Sequence, residues 1–509
     1  MRNMPVRLGI EIRNSNAERT PKPEQDRKPC PFSRLRHSGL SRIPAFGFRI
    51  WQVQQALHLT LNKPMLPAFR AFLTLLTCCV SANAQLWCTG YYPGWEQGGM
   101  PASTIDFSVV THVIQFSVVP NSNGSLDSNV NVVSVANSSN LVQRAHEAGR
   151  KALICVGGAN SQAGFQGASS TANRGTFITN LVSFMSSRGY DGIDLDWEPL
   201  APSDAAQYTN LVKNLRTALN AINPLPLLTA AIASPPTPAS LIASLSDQFD
   251  QINLMTYDLS GPYPGWVTWF NSPIYDGGYR FPSTSGLVPS TDGMVNSVVA
   301  AGVPRSKLGI GIAFYGYIWS GGSGTSTGGA TMPRQTWSSA PTATTASFNS
   351  IMSTYYQPGI YHWDTNAQAA WLGIDNSGSA NDKFISFDDQ RTCQSKVSYA
   401  RNSSLGGVMI WELAHDHQAG QSDPLLLALK QAFATPGVTA IESGAQGIDL
   451  SFATTPLGSY GIQWTSNLAD SFWTSLLVTN INGTGGVLHV TDPAGATQAQ
   501  RFYRVKTPP

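Results

Sequence analysis

Charge is scarce in this chain of 509 residues, with only 12% Asp, Glu, Lys or Arg, and it is unevenly divided. Residues 1–84 hold 13 Lys and Arg against 4 Asp and Glu, a net of +9, while residues 85–509 hold 19 against 26, a net of −7. The formal net charge of +2 averages two unlike parts. The larger part is mildly acidic and has no basic patch, which argues against a nucleic-acid partner. Cysteine is short as well. Of six, only Cys88, Cys155 and Cys393 lie beyond residue 84, so at most one disulfide could form there. Their wide spacing excludes a cysteine-based zinc site. The apolar run Ala71–Val80 is too short to span a bilayer. It sits between Met65–Arg70, with one positive charge, and Ala82-Asn83-Ala84 before Gln85, which is the pattern of an export signal. A signal peptide over 65–84 is therefore expected, with the mature protein secreted. Residues 1–64 are Arg-rich and lack hydrophobic periodicity, and read as a non-native or disordered upstream extension; an organellar presequence is the competing reading.

Against this sparse background stands Asp191-Gly192-Ile193-Asp194-Leu195-Asp196-Trp197-Glu198, with four carboxylates in eight residues. On an extended strand Asp194, Asp196 and Glu198 share one face, and Ile193, Leu195 and Trp197 take the other. Packed like charges must be desolvated and repel one another, so a fold with no chemical use for that face would hardly keep it. Confinement pushes their pKa values apart, and the outermost carboxyl can stay protonated near neutral pH. A protonated acid backed by an ionised neighbour is what cleavage of a glycosidic bond needs.

After Gln85, short apolar strands alternate with amphipathic helical stretches. Strands are expected at Leu86–Tyr92, His112–Val118, Lys151–Val156, Gly192–Asp196, Leu227–Ala233, Gln251–Tyr257, Leu308–Phe314 and Gly407–Trp411. Helices are expected at Asn140–Gly149, Arg174–Arg188 and Asp204–Ile222. This alternation predicts an α/β fold, a (β/α)8 TIM barrel over 85–434, with Glu198 just past the end of the fourth strand. The stretch 318–405, between the seventh and eighth strands, is too long for an ordinary connection and predicts a small insertion walling a cleft. From about Thr435, helical periodicity is lost. Segments at Ile448–Phe452, Tyr460–Trp464, Leu476–Val478, Val487–Val490 and Arg501–Val505 predict an all-β, sandwich-like module over 435–509. Passive or anchoring duty is expected of it, with sugar binding through Trp464 or Trp473 as the alternative.

Four further signals fall at strand ends: Gly90-Tyr91-Tyr92 on the first strand, Val156-Gly157-Gly158 on the third, Met255-Thr256-Tyr257-Asp258 on the sixth, and Gly406-Gly407-Val408-Met409-Ile410-Trp411 on the eighth. With the acidic strand they resemble the chitinases of glycoside hydrolase family 18, and the resemblance covers roughly residues 86–433. The segment Tyr361–Leu372 followed by Ser386-Phe387-Asp388-Asp389 is similar to that family too. The resemblance implies a substrate-assisted mechanism that retains anomeric configuration. Glu198 would protonate the leaving oxygen, and the sugar's acetamido oxygen would attack the anomeric carbon. Asp196 would orient the acetamido group, Asp194 would share a proton with Asp196, and Tyr257 would donate to the acetamido carbonyl. Asp258 would bind the same sugar and Trp411 would form its floor. Tyr92, Gly157, Gly158, Met255, Tyr315 and Asp191 would complete the substrate-binding set, with Asp191 supporting the strand end. Three departures from the family pattern are evident: Cys155 where Ser is usual, Ala159 and Pro199 where aromatics are common, and Tyr in Phe314-Tyr315-Gly316-Tyr317 where Arg is frequent.

His415-Asp416-His417 reads as polar wall more than as a metal pair, and neither metal nor cofactor is expected. Trp266, Trp269, Trp319, Trp337, Trp363 and Trp371 could form a stacking track along the cleft or pack in cores. The function expected is a secreted, monomeric hydrolase of β-1,4-linked N-acetylglucosamine polymers, chitin foremost, with no membrane span. An endo-β-N-acetylglucosaminidase acting on N-glycans or peptidoglycan, and a non-catalytic chitin-binding lectin, are the alternatives.

Overall fold

The computed structural model describes residues 86–509 apart from 234, 419, 421–422, 435–437, 445, 455–458, 468–471, 478–480, 483–486, 496–500 and 507–509. The expected signal peptide and the upstream extension lie outside the described residues. The chain enters a closed parallel barrel through β1 (Trp87–Pro93) and β2 (His112–Pro120), the latter extended by the two-residue β3 (Leu126–Asp127). It continues through β4 (Lys151–Gly158), β5 (Gly192–Trp197), β6 (Leu227–Ile232), β7 (Gln251–Leu254) and β8 (Leu308–Ala313). Five strands then form a separate antiparallel sheet: β9 (Tyr315–Ser320), β10 (Thr342–Ser347), β11 (Tyr361–Asp364), β12 (Ala369–Ile374) and β13 (Lys383–Phe387). The chain returns as β14 (Gly407–Trp411), which pairs with β8 on one side and β1 on the other; β1 in turn pairs with β2, closing the ring. The expected (β/α)8 barrel with an insertion before its last strand is the architecture observed.

Among the boundaries that differ from expectation, two have a clear local reason. The first long helix spans Val135–Glu147, starting five residues earlier than Asn140, because the Ser134 side chain accepts a hydrogen bond from the Asn137 N–H and caps it. Strand β7 ends at Leu254, so Met255–Asp258 lies just past the sheet. There the Thr256 hydroxyl replaces the backbone ladder, accepting from the Gly311 N–H at 2.9 Å and donating to the Gly311 carbonyl at 3.1 Å. Asp258 follows in a left-handed conformation, at φ 55°.

The insertion shares a core with the connection after β7: Trp269 and Phe270 of that connection pack with Trp319 and Phe384 of the sheet, and both tryptophans are fully buried. Trp337 and Trp371 pack against that core, Trp363 lies under the Arg391 guanidinium, and Trp266 contacts Phe281. Of the two readings open for these tryptophans, core packing holds for Trp269 and Trp319, while the other four are half-buried. Burying a large aromatic contributes roughly 2–3 kcal/mol, which a sheet of this size needs for its own cohesion.

Beyond the barrel, strands β15 (Val438–Gly444), β16 (Gly447–Ala453), β17 (Ser459–Thr465), β18 (Thr474–Ser475), β19 (Ile481–Asn482), β20 (Val487–Asp492) and β21 (Phe502–Lys506) form two small antiparallel sheets. Leu450, Phe452, Tyr460, Ile462 and Val490 are their buried core. In place of a strand at Leu476–Val478, pairing occurs at Thr474–Ser475, and residue 478 lies outside the described residues. Arg501 stacks 3.6 Å from the Trp464 ring centroid and Arg504 4.3 Å from that of Trp473, covering one face of each indole.

In the barrel, Gly157 has φ 108°, and a Cβ there would lie 2.1 Å from the Asp196 carbonyl on the next strand. Gly157→Ala is expected to lower unfolding free energy by at least about 2 kcal/mol, measured by urea denaturation. A loss under about 0.5 kcal/mol would mean that β4 and β5 can part without penalty.

Candidate active site

Strand β5 runs through the barrel with alternate side chains in opposite surroundings. Ile193, Leu195 and Trp197 enter the outer core, where Trp197 stacks on Phe165 with centroids 4.7 Å apart. Asp194 and Asp196 point into the barrel and are buried. The innermost, Asp194, is flanked in register by Cys155 on β4 and Thr229 on β6. Its carboxylate accepts from the Tyr91 hydroxyl at 2.7 Å, from the Thr229 hydroxyl at 2.5 Å, and from the Cys155 thiol. Burial raises its pKa, and these three donors pull the other way. Burial also pushes the Tyr91 phenol and the Cys155 thiol well above their ordinary values, so both remain protonated donors.

The Asp196 and Glu198 carboxyls interact directly, so their titrations are linked. Burial, then the Glu198 and Asp194 charges, drive Asp196 well above the carboxylate range. Glu198, at the outer end of the ladder, is pushed up to about 7 by burial and then by the Asp258 charge, with the bond to Asp196 opposing. Both Asp194 oxygens accept from other donors, and Asp196 feels the Asp194 charge from below and the Glu198 carboxyl from outside. Ser161 fixes this end of the strand: its hydroxyl accepts from the Glu198 N–H at 3.1 Å and contacts the Asp196 carbonyl at 3.3 Å.

Facing the ladder, the Tyr257 phenol is buried and its hydroxyl meets the Met409 sulfur at 3.5 Å. Its ring meets Tyr315 edge-on, and the Tyr315 hydroxyl donates to Asp258 at 2.5 Å. The Asp258 N–H in turn donates to Asn271 at 2.9 Å. Trp411 packs on Phe116 and Tyr91, with centroids 4.7 and 5.5 Å away. A cavity of about 590 Å³ opens over Trp411, with Asp258, Tyr315, Tyr317, Glu96 and His415 in its lining. The His415 Nε2 lies 3.0 Å from the Glu412 carboxylate, whereas His417 bonds Asp423 at 3.0 Å, so the two imidazoles serve different partners. Among the described residues, no group of three or more His, Cys, Asp or Glu is arranged to hold a metal ion.

The structure brings Glu198, Asp196, Asp194, Tyr257, Asp258, Tyr315 and Trp411 together, with Met255 packed among the apolar residues inside the barrel. Gly157 and Gly158 are buried beneath them: a Cβ on Gly158 would fall 2.3 Å from the Phe116 ring, so the pair acts through close packing. Two expectations are overturned. Tyr92 is fully buried in the outer core and donates its hydroxyl to the Met100 carbonyl; its neighbour Tyr91 is the tyrosine that faces the acids. Asp191 lies at the opposite end of β5, bonded to His146, Lys151 and the Ala152 N–H, and seven residues of chain separate it from Glu198, roughly 20 Å when extended. Sequence reasoning passed over Tyr91, Thr229, Ser161 and Phe116. Tyr91 lies in the Gly90-Tyr91-Tyr92 motif, but no local signal assigns it, and not Tyr92, to the inward face.

A carboxyl whose folded pKa exceeds its unfolded value costs stability as pH rises from the unfolded value toward the folded one, here from 4.5 to about 7 for Glu198. Glu198→Gln should therefore raise the melting temperature more at pH 8 than at pH 4, read by thermal unfolding at both. An equal effect at both would show that ionising the ladder costs nothing.

The family model for glycosyl hydrolases family 18 matches residues 88–416. Chitinase A1 of Niallia circulans is 30% identical over 329 residues, covering 58% of this chain and 45% of that protein. Endochitinase 1 of Metarhizium robertsii is 29% identical over 294 residues, 53% of this chain and 63% of that one, and the class V chitinase of Arabidopsis thaliana is 29% identical over 370 residues, 69% and 91%. The chain thus spans about half the length of the first relative and under two thirds of the second. Among solved structures, Ostrinia furnacalis Group IV chitinase in complex with allosamidin superposes with a TM-score of 0.59 at 21% identity, covering 69% of this chain and 99% of that one. Catalytic domain 2 of the Group II chitinase from the same organism does so at 0.57 and 26%, covering 69% and 96%. On the barrel, the inward ladder of acids and a model match over more than half its length, the chain belongs to glycosyl hydrolases family 18.

Proposed function

We propose that this chain hydrolyses β-1,4-linked N-acetylglucosamine polymers, chitin foremost, with retention of anomeric configuration. The observation that carries the reading is the row of enclosed acids Asp194, Asp196 and Glu198 rising along β5, with burial pushing Glu198 up to about 7. A carboxyl that is still protonated at pH 6 can give its proton to a leaving glycosidic oxygen. The chitinase names of the relatives at about 30% identity support the substrate class.

In this reading Glu198 protonates the leaving oxygen while the acetamido oxygen of the bound sugar attacks the anomeric carbon, forming an oxazolinium ion. As Glu198 gives up its proton, the Asp196 carboxylate accepts from the acetamido N–H and offsets the developing positive charge. Asp194, held by Tyr91, Thr229 and Cys155, keeps negative charge beneath Asp196 throughout. The Tyr257 hydroxyl, whose protein partner is a weak thioether acceptor, is free to donate to the acetamido carbonyl and hold it for attack. Trp411 offers its face to the sugar ring, and Asp258 anchors the same sugar. Glu198 then takes a proton from the incoming water, which opens the oxazolinium ion from the face that the leaving group vacated. Export through the 65–84 signal would bring the enzyme to its polymer.

Glu198→Gln is expected to lower kcat on chitin oligomers about a thousandfold while oligomer binding, measured by calorimetry, persists. In the parent, kcat/KM should fall as pH rises through about 7. Parental turnover in the variant would remove Glu198 from the mechanism. The acetamido nucleophile carries its own test: fully deacetylated polymer should resist cleavage, and the first product of acetylated oligomers should emerge as the β-anomer by proton NMR. Initial formation of the α-anomer would refute the mechanism.

A further inference from the structure

Lys396 is fully buried, away from the cavity, on a helix spanning Gln390–Asn402 whose N-terminus Asp389 caps by accepting from the Thr392 N–H. An ammonium has three N–H donors, and each finds an acceptor. These are the Asp388 carboxylate at 2.5 Å, the Ser272 hydroxyl at 2.5 Å and the Gly311 carbonyl at 3.1 Å. Ser272 passes the interaction on, donating to the Thr256 carbonyl at 2.5 Å. The same Asp388 oxygen accepts from the Ala313 N–H at 2.9 Å, at the end of β8.

The two backbone groups gripped in this way flank Tyr257. Thr256 directly precedes it, and its hydroxyl is locked to Gly311 in both directions. Gly311 is the surface on which the Tyr257 ring rests: a Cβ there would lie 2.7 Å from the ring atoms Cδ1 and Cε1. The neighbouring segment is tied in as well, since the Asn271 N–H donates to Ser386 at 2.9 Å while Asn271 accepts from Asp258. A fully enclosed ion pair is a poor way to gain stability, because apolar side chains of similar volume would fill the space without desolvating charge. What it supplies is direction, since three fixed acceptors set three elements in one register.

We infer that Lys396 is a positioning residue for the reaction, holding Tyr257 in place through Gly311 and the Ser272–Thr256 relay. The inference rests on the role of Tyr257 proposed above. Lys396 touches no substrate; it sets the height and angle at which the Tyr257 hydroxyl meets the acetamido group. Small displacements of such a donor are expensive in rate and cheap in binding.

The experiment is a double-mutant cycle on N-acetylglucosamine tetramer, with kcat, KM and melting temperature read for Tyr257→Phe, Lys396→Met, their combination, and Asp388→Leu combined with Lys396→Met. Lys396→Met is expected to lower kcat at least about tenfold with KM within about twofold. Adding it to Tyr257→Phe should change kcat by less than about threefold. The apolar pair should recover the melting temperature without recovering kcat. If Lys396→Met does not fold, Ser272→Ala, which leaves the ion pair intact, should still lower kcat about threefold or more at a parental melting temperature. Additive losses in the cycle, return of kcat together with stability in the apolar pair, or parental kcat in Ser272→Ala would each overturn the inference while leaving the role of Tyr257 standing. Parental kcat in Tyr257→Phe would overturn both.

Discussion

Three carboxyls enclosed on one face of a single strand are the constraint around which this molecule is organised. The groups acting on Asp194, Asp196 and Glu198 are hydroxyls, a thiol and other carboxyls, with no Lys or Arg among them. A cation would settle the ladder into a fully ionised, inert state. Neutral donors stabilise only its deepest member and leave the outer two easier to protonate. The supporting residues follow from that demand. Tyr91 and Thr229 must reach Asp194 from neighbouring strands, Ser161 must fix the backbone of the last turn, and Gly157 must let β4 lie close beside β5.

The barrel separates this chemistry from its scaffold by the alternation of its strands. On β5 the acids turn inward while Ile193, Leu195 and Trp197 bind the outer helices, so one strand serves the reaction and the core together. On β1 the adjacent tyrosines divide in the same way, Tyr91 to Asp194 and Tyr92 to the Met100 carbonyl. Charge, scarce elsewhere, is concentrated where it has work to perform. Even the buried Lys396–Asp388 pair lies one layer behind the cavity.

Much of this was legible in the sequence because it is periodic or local. The eight barrel strands, the insertion ahead of the last one, and the shared face of Asp194 and Asp196 follow from apolar runs and a period of two. Parity was the weak point: nothing local tells which of Tyr91 and Tyr92 faces inward, and the choice depends on strand tilt. Asp191 belongs to the same short motif as Glu198, yet a strand is long enough to carry the two to opposite ends of the barrel. Thr229 and Cys155 gain meaning only from register across three strands, which no single segment encodes. The tryptophans stayed open between two readings for a simpler reason: composition does not distinguish an aromatic that meets solvent from one that replaces it. Ser134 was readable as a cap, and the helix it starts was nevertheless placed late.

Between β8 and the insertion there is a single residue, Phe314, and it is fully enclosed. Its N–H donates to the Trp411 carbonyl at 2.8 Å, and its own carbonyl accepts from Phe348 at the same distance. A wall mounted on so rigid a post has no joint at its root to absorb the rotation that a closing lid requires. The groove is therefore shaped before any ligand arrives, and the entropy surrendered on binding falls upon the ligand instead of the protein.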